Sequence, residues 1–380
     1  MDSSKVKVKV SANPQFEDLS KPGSEGGVYE FLARDVCPDF VIRLGVGKML
    51  AQKLREEYLP EEKRREKILD MVRQLKTMPV AISTDSANEQ HYMVPTEFFK
   101  LCLGKRLKYS CAYFDEDIVC DLKNIEQNLD RAEEAMLAKT IQRAQLKDGQ
   151  EILELGCGWG SLTLYMAEKF PAAKITAVSN SSSQREYIES QCRQRGFTNV
   201  RVITCDMNDF AYDADKKVDR VVSVEMFEHM KNYGELMRRI SAWLKPGGKL
   251  FVHIFSHPTL CYHYQDSDGE DWLTRNFFTG GIMPSNDLLL YFQDHLKIED
   301  QWAVSGRHYQ LTARAWLNKM DANKEDILPI LAATYGVENQ RRWWVFWRLF
   351  FIACEELWGF RGGEEWMVSH YLFVNSGEGL

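Results

Sequence analysis

Polar and apolar positions divide the 380-residue chain into stretches of different period. Residues 1 to 26 are polar, end in KPGSEGG and are expected to be a disordered tail. Residues 28 to 78 carry a helical period in VYEFLARDV, FVIRLGVGKMLAQKLREEYL and EEKRREKILDMVRQLKTM. In the last of these, Ile68, Leu69, Met71, Val72 and Leu75 fall on roughly one face. Residues 79 to 125 read as irregular. A helical N-terminal region over 27–125 therefore precedes the main domain. It suits a lid, an oligomer surface such as a homodimer contact, or both, and the pattern does not choose. Helical spacing returns over 126–146, with Leu129, Ala132, Met136, Leu137, Ile141 and Ala144.

From 150 to 256 the pattern changes. Short apolar runs EILEL, KITAVSN, VRVITCD, DRVVSVE and KLFVHIF alternate with helical segments. Such alternation predicts an α/β fold with a mainly parallel sheet and helices on both faces. Ligands of such sheets sit beyond the carboxyl ends of the strands. Three strands end there in a polar residue: Asn180, Asp206 and Glu225. Residues 257 to 295 form a long aromatic insertion, the start of a cap that runs to about 361. A long irregular stretch inside a domain is usually functional or disordered, and this one is too aromatic for disorder. Residues 296 to 361 read as one more strand followed by helices, and EWMVSHYLFVN as a last strand. No internal repeat is visible.

Composition narrows the function classes. The apolar share of 44% is ordinary for a globular protein. The net charge of −7 gives no broad electrostatic reason to bind nucleic acid or an anionic membrane. No apolar run reaches the ~18 residues of a membrane span. The nearest, RRWWVFWRLFFIAC, is short and arginine-flanked. Nine cysteines lie scattered without CxxC pairs, so reduced thiols and a cytoplasmic setting are expected rather than disulfides or zinc. His253, His257 and His263 show no metal-ligand spacing.

The stretch QEILELGCGWG, residues 150 to 160, carries the first candidate chemistry. A buried strand breaks into Gly156, Gly158 and Gly160 before the helical SLTLYMAEKF. Glycines at alternate positions allow a sharp turn and a close approach to a ligand. The tip of the second strand offers Asn180, Ser181 and Gln184 where a ribose would bind. An ordinary strand-to-helix turn or an NAD site remains open on this pattern alone. Asp206 can accept from an adenine amino group with Met207 packed on the ring, or it is a helix N-cap. Aromatic faces at Tyr109, Tyr113 and Trp159 suit a sulfonium cation or plain packing.

The second candidate is VSVEMFEHM, residues 222 to 230. If Glu225 to His229 form a helical turn, Glu225, Glu228 and His229 share one face. Histidine titrates near ~6.5 and suits a general base at neutral pH. The alternative is a helix start with two capping acids and a structural histidine. The third candidate is the aromatic insertion, with His257, Tyr262, His263, Tyr264, Trp272, Phe277, Phe278, Tyr291 and Phe292. Its walls suit a flat or cationic ligand, or an aromatic core.

These residues resemble a known family. ELGCGWG is similar to the S-adenosylmethionine loop of methyltransferases. With PTEFFK, YSCAYF, TAVSNSSSQ, EMFEHMKNY, YHY, MPS, LYFQD, SGRHY, WLNKMDAN and GEEWMVSHYLF, the chain after about residue 60 resembles the coclaurine N-methyltransferase group of plant alkaloid enzymes. That group is itself similar to cyclopropane fatty-acid synthases. The resemblance implies a class I, Rossmann-like methyltransferase domain over 126–380, with a mainly parallel seven-stranded sheet and helical cap insertions. It implies transfer of a methyl group from S-adenosylmethionine to an amine nitrogen of a small benzylisoquinoline, tetrahydroisoquinoline or protoberberine alkaloid. By the family pattern Tyr109, Ser110, Glu154, Gly156, Gly158, Asn180, Gln184, Asp206 and Met207 would line the cofactor. Glu225, Glu228 and His229 would stand at the substrate nitrogen. Glu97 would reach the same pocket, and Tyr109, His257, Tyr262, His263 and Tyr309 would line it.

Cyclopropane synthases hold bicarbonate with a cysteine, a glutamate, a histidine, an isoleucine and a tyrosine. Cys111, Glu228, His253 and Tyr309 match four of these, while Phe255 stands at the isoleucine position, which puts a bicarbonate site in doubt. A lipid-modifying enzyme of the cyclopropane synthase type is the alternative function. The acidic balance and the His- and Tyr-rich insertion argue against it. A non-enzymatic binder would be marked by a lost glycine loop or a lost MFEH, and both are intact.

Overall fold

A computed structural model describes residues 31–82, 94–115, 124–213, 215–264 and 280–377. The tail over 1–26 and the middle of the aromatic insertion, with Trp272, Phe277 and Phe278, lie outside the described residues.

Seven strands form one sheet: β1 (Glu151–Leu155), β2 (Lys174–Ser179), β3 (Val200–Thr204), β4 (Val218–Val224), β5 (Leu244–Ser256), β8 (Lys297–Val304) and β9 (Met367–Val374). Their order is β3-β2-β1-β4-β5-β9-β8. The pairings from β3 to β5 are parallel. β9 runs antiparallel to both its neighbours. β1 and β5, inside the sheet, are mostly buried along their lengths, as a parallel sheet requires, whereas β3 at its edge is only half-buried. β6 (Tyr262–His263) and β7 (Ile282–Met283) pair separately.

The chain moves outward from β1 to β3 and returns through β4 on the other side of β1. That reversal opens a crevice at the carboxyl ends of β1 and β4. Leu155 is in register with Ser223, so the glycine loop and Glu225 leave neighbouring strands side by side.

Helices cover the sheet: α4 (Leu129–Arg143), α5 (Ser161–Lys169), α6 (Ser182–Arg195) and α7 (Tyr233–Trp243). The N-terminal helices are α1 (Asp39–Glu57), α2 (Glu61–Thr77) and a short α3 (Thr96–Cys102) inside the stretch that reads as irregular. α2 buries Ile68, Met71, Val72 and Leu75, while Leu69 turns outward. The cap is α8 (Gly306–Ala322), α9 (Lys324–Tyr335) and α10 (Gln340–Gly359). α10 contains the apolar RRWWVFWRLFFIAC stretch, with Trp344, Phe346, Trp347 and Phe351 buried in the largest core. Among the described residues no helix is long and apolar enough to cross a membrane. Arg348 ties α10 to Asp39 of α1 and Asp321 of α8. Arg43 of α1 and Arg314 of α8 both hold Glu355.

Gly160 has φ +78°, and a Cβ there would lie 2.5 Å from Ile188 Cγ1. Gly158 has φ +52° with nothing within 4 Å of such an atom. Gly160→Ala is expected to lose about 2–4 kcal/mol, from left-handed strain plus the collision. Gly158→Ala should lose only about 1 kcal/mol. Urea unfolding of the two variants checks this, and equal losses would remove the collision from the account.

Candidate active site

The glycine loop is pinned to the sheet before it turns. Gly156 N and Cys157 N both donate to Val178 O, at 2.9 and 3.0 Å. Gly156 has φ +78°, and a Cβ there would lie 2.8 Å from Met226 Cβ on the strand-end turn that carries Glu225. Only glycine lets the two turns approach this closely. Glu154 Oε2 accepts from Thr163 Oγ1 at 2.5 Å and ties β1 to the first turn of α5, directly after the glycine loop.

Around the loop, several buried polar atoms at the strand ends have no protein partner among the described residues: Trp159 Nε1, Ser161 Oγ, Gln184 Nε2 and Thr204 Oγ1. Buried polar atoms are normally satisfied, so an unpartnered group of them fits a polar ligand. Gln184 Oε1 accepts from Ser179 Oγ, which aims its amide nitrogen elsewhere. Asn180 follows β2, and Ser181 caps α6. Asp206 Oδ1 accepts from Asn208 N at 2.7 Å, so it caps its own turn, with Met207 buried beside it. Ser110 is buried and receives a hydrogen bond from Lys108 Nζ. The Tyr109 ring packs at 5.2 Å from Phe99 and 5.5 Å from Trp316. These positions and the orphaned polar atoms suit S-adenosylmethionine.

Glu225 stands directly after β4. Its φ of +49° is unusual for a residue with a side chain, and such strain collects at functional sites. The chain does not form a helical turn over 225–229. Only Phe227–His229 make one 3-10 turn, so the left-handed Glu225, not a helix face, brings Glu225, Glu228 and His229 together. Glu225 Oε1 accepts from Cys111 N at 2.9 Å and from His253 Nε2 at 3.1 Å, and Oε2 accepts from Tyr309 Oη at 2.7 Å. Three of the four positions matched to bicarbonate ligands thus converge on the chain's own carboxylate. Burial raises the pKa of Glu225, against Lys108, the Cys111 N–H, Tyr309 and His229, which lower it. Burial also raises Glu228, and the charge on Glu225 raises it further. Three hydrogen-bond donors favour the ionised form of Glu225, whereas Glu228 is pushed up further, so within the pair Glu225 is the better seat for a negative charge. Glu228 Oε2 is buried without a partner among the described residues.

Aromatic rings pack around Tyr309, the tyrosine that donates to Glu225. Tyr309 stacks on Trp358 at 4.6 Å and meets Trp316 edge-on at 6.1 Å. Tyr113 stacks on His308 at 4.1 Å.

Other candidates lie elsewhere. Glu97 is mostly exposed on α3 and pairs with Lys100, because Phe98, Phe99 and Cys102 take the buried face. The structure does not bring it to Glu225. His257 is buried, but its Nδ1 accepts from Thr259 N and Leu260 N and its Nε2 meets Glu365, which makes it a turn anchor. Tyr262 Oη accepts from Trp366 Nε1, and Lys53 lies over its ring. His263 is half-buried on β6 against Ile282. Residue-type reasoning missed Lys108 and His370. Each is a buried polar residue in an otherwise apolar run, KYSCAYF and VSHYLF, and that interruption is the signal that marks them.

Comparisons with known proteins bear on the family and the fold. Residues 81–363 match the family described as mycolic acid cyclopropane synthetase. The chain is 39% identical to the (S)-coclaurine N-methyltransferase of Thalictrum flavum subsp. glaucum, over 88% of this chain and 90% of that one. It is 36% identical to the pavine N-methyltransferase of the same plant, over 87% and 91%. A solved coclaurine N-methyltransferase bound to N-methylheliamine and SAH is similar in structure, with a TM-score of 0.86 and 38% identity, covering 91% of this chain and 98% of that one.

Burial pushes the Glu154 carboxyl up to about 8, against the opposing Thr163 hydrogen bond. In an unfolded chain glutamate titrates near ~4.3. Between those values the folded state holds a proton that the unfolded state lacks. Wild-type stability therefore falls relative to Glu154→Gln as pH rises through that window. A gap on the order of 1–3 kcal/mol is expected to open in the variant's favour between about pH 5.5 and 8, and to stop growing above. Denaturant melts across pH check it, and a pH-independent gap would mean that Glu154 is ionised throughout.

Proposed function

The chain belongs to the coclaurine N-methyltransferase group of the mycolic acid cyclopropane synthetase family and is an S-adenosylmethionine-dependent N-methyltransferase, and we propose that its substrate is an alkaloid amine of the benzylisoquinoline, tetrahydroisoquinoline or protoberberine type. The fold is that of class I S-adenosylmethionine-dependent methyltransferases. One observation carries the substrate reading: the Glu225 carboxyl group, largely covered, engaged by three hydrogen-bond donors and touched by the Tyr309 ring system beside the glycine loop. A small aromatic ammonium ion complements that pocket in both charge and shape. The names of the relatives support the same class.

S-adenosylmethionine supplies the methyl group as an activated sulfonium. Tyr109, Ser110, Glu154, Gly156, Gly158, Asn180, Gln184, Asp206 and Met207 would hold it. A one-step displacement needs no covalent enzyme intermediate, so positioning provides most of the acceleration. Glu225 draws the ammonium into the pocket, and its three hydrogen bonds fix the direction of approach. The amine must then lose a proton to expose its lone pair. His229, half-buried one turn after Glu225, takes that proton directly or through water. Glu228, already protonated, accepts no proton and can donate to the substrate or to water. A secondary amine must lose a proton overall. A tertiary amine needs only to arrive unprotonated, so it depends less on the base.

Purified protein offered S-adenosylmethionine with tetrahydroisoquinolines, protoberberines, simple arylalkylamines and unsaturated phospholipid vesicles is expected to add one methyl to a cyclic amine. Mass spectrometry of the products reads this, and methylene addition to the lipid alone would overturn the substrate proposal. His229→Ala is expected to lower turnover of secondary amines by about ten- to a thousandfold, with a smaller loss for tertiary amines. Unchanged turnover in the folded variant would remove His229 as the base.

A further inference from the structure

Behind Glu225 lies a row of polar groups that crosses the sheet. His253 on β5 and His370 on β9 are register partners, and Trp302 on β8 is the partner of His370 on its other side. Both histidines are fully buried, His253 between Val252 and Ile254 and His370 between Ser369 and Tyr371. Arg143, the last residue of α4, places Nη1 2.8 Å from His370 Nδ1. His370 Nε2 lies 2.8 Å from His253 Nδ1. His253 Nε2 lies 3.1 Å from Glu225 Oε1. The Arg143 guanidinium rests over the Trp302 ring at 5.0 Å.

The two ends of this row set every proton in it. Arginine only donates, so His370 Nδ1 accepts. Neutral His370 then carries its proton on Nε2 and donates to His253 Nδ1. His253 in turn carries its proton on Nε2 and donates to Glu225. Burial pushes both rings well below the usual histidine range, which keeps them neutral. In that state each ring nitrogen has one partner. All three hydrogen bonds point the same way, from the guanidinium to the carboxylate. Hydrogen bonds in such a chain polarise one another. The same order excludes an outward proton path, because His253 Nε2 is already protonated and Arg143 has no acceptor.

We infer that Arg143 and His370 are positioning residues of the methyl-transfer site, which act through His253 to hold Glu225 as a carboxylate. This rests on the reading that an ionised Glu225 receives the amine. The other groups facing Glu225 are Lys108 and Cys111 from the segment before α4, Glu228 and His229 from the turn after β4, Tyr309 of α8 and Cys354 of α10. Lys108 and Lys139 of α4 also face His370. All of these stay unchanged in the variants below, so a difference between variants reports the row alone.

The test is the pH dependence of kcat at saturating amine and S-adenosylmethionine. It compares the wild type with Arg143→Met, His370→Leu, His370→Gln and Glu225→Gln. Loss of the guanidinium or of the link makes Glu225 easier to protonate. The acidic limb should therefore move up by about one pH unit in Arg143→Met and His370→Leu, with activity recovering as the pH is raised. The His370→Gln side chain can accept from Arg143 through oxygen and donate to His253 through nitrogen, so it should return the limb toward the wild-type position. Thermal melting and SAH binding establish that each variant is folded. Should His370→Leu fail there, Arg143→Met, altered at the half-buried end of the row, decides alone. An unmoved limb in folded Arg143→Met, or an equal loss of kcat at every pH, would overturn the inference. Wild-type kcat and limb in Glu225→Gln would instead overturn the reading of Glu225 on which it rests.

Discussion

A largely covered carboxyl group at the end of β4, held by three hydrogen-bond donors, is the constraint on which the rest of the molecule depends. Taking a carboxylate out of water costs several kcal/mol unless hydrogen bonds and opposite charge offset it. Glu225 receives its three donors from three separate parts of the chain: the Cys111 amide, His253 on β5 and Tyr309 on α8. Lys108, buried in the same segment as Cys111, adds positive charge nearby. None of these donors is close to Glu225 in sequence. The charge is therefore tolerated only when the segment before α4, the sheet and the cap are docked together. The positive φ of Glu225 adds a local cost that the same contacts must hold in place.

The sheet order turns this charge into a site. β1 and β4 are neighbours in register, so the glycine loop and Glu225 emerge from adjacent, paired backbones. Their separation is a property of the sheet rather than of flexible loops. The close approach of Gly156 to Met226 locks the two strand ends further. A one-step displacement depends on the alignment of donor and acceptor, and here both are referred to one rigid frame. The cap then supplies what the frame lacks. Tyr309 reaches Glu225 from α8, and Trp316 and Trp358 pack against its ring and fix it there.

Periodicity made the sheet legible, because strands buried on both faces show as short apolar runs between helical segments. The glycine loop was legible because positive φ at alternate positions demands that residue type. The cluster at 225–229 was legible in composition but not in shape. Helical spacing and a strand end followed by a tight turn place the same letters near one another, and only the backbone at Glu225 separates them. Glu97 shows the same ambiguity in another form. One residue decides whether a side chain on a short helix faces the core, and Phe98 and Phe99 take that face. His257 looked like a ligand group but anchors two backbone amides of its own turn, a local role that residue type does not reveal. Lys108, His253 and His370 act through contacts between segments distant in sequence; the polar residue in an apolar run can mark them, but their partners are not written there.

A fixed carboxylate poses a chemical conflict for amine methylation. It attracts the ammonium ion, yet it also stabilises the protonated form that cannot react. The geometry moderates that conflict. Three hydrogen bonds already engage the Glu225 oxygens, so its charge is spread and it holds an ammonium less tightly than a bare carboxylate would. Burial, and then the charge on Glu225, push the second acid, Glu228, well above the usual carboxyl range, which favours one negative charge in the pocket rather than two. On the proposed reading, that single moderated charge brings the amine in and orients it without trapping its proton. A separate base of intermediate strength, His229, can then remove the proton at neutral pH. The number of carboxyl groups in the pocket thus matters less than which of them is ionised, and the contacts of Glu225 decide that.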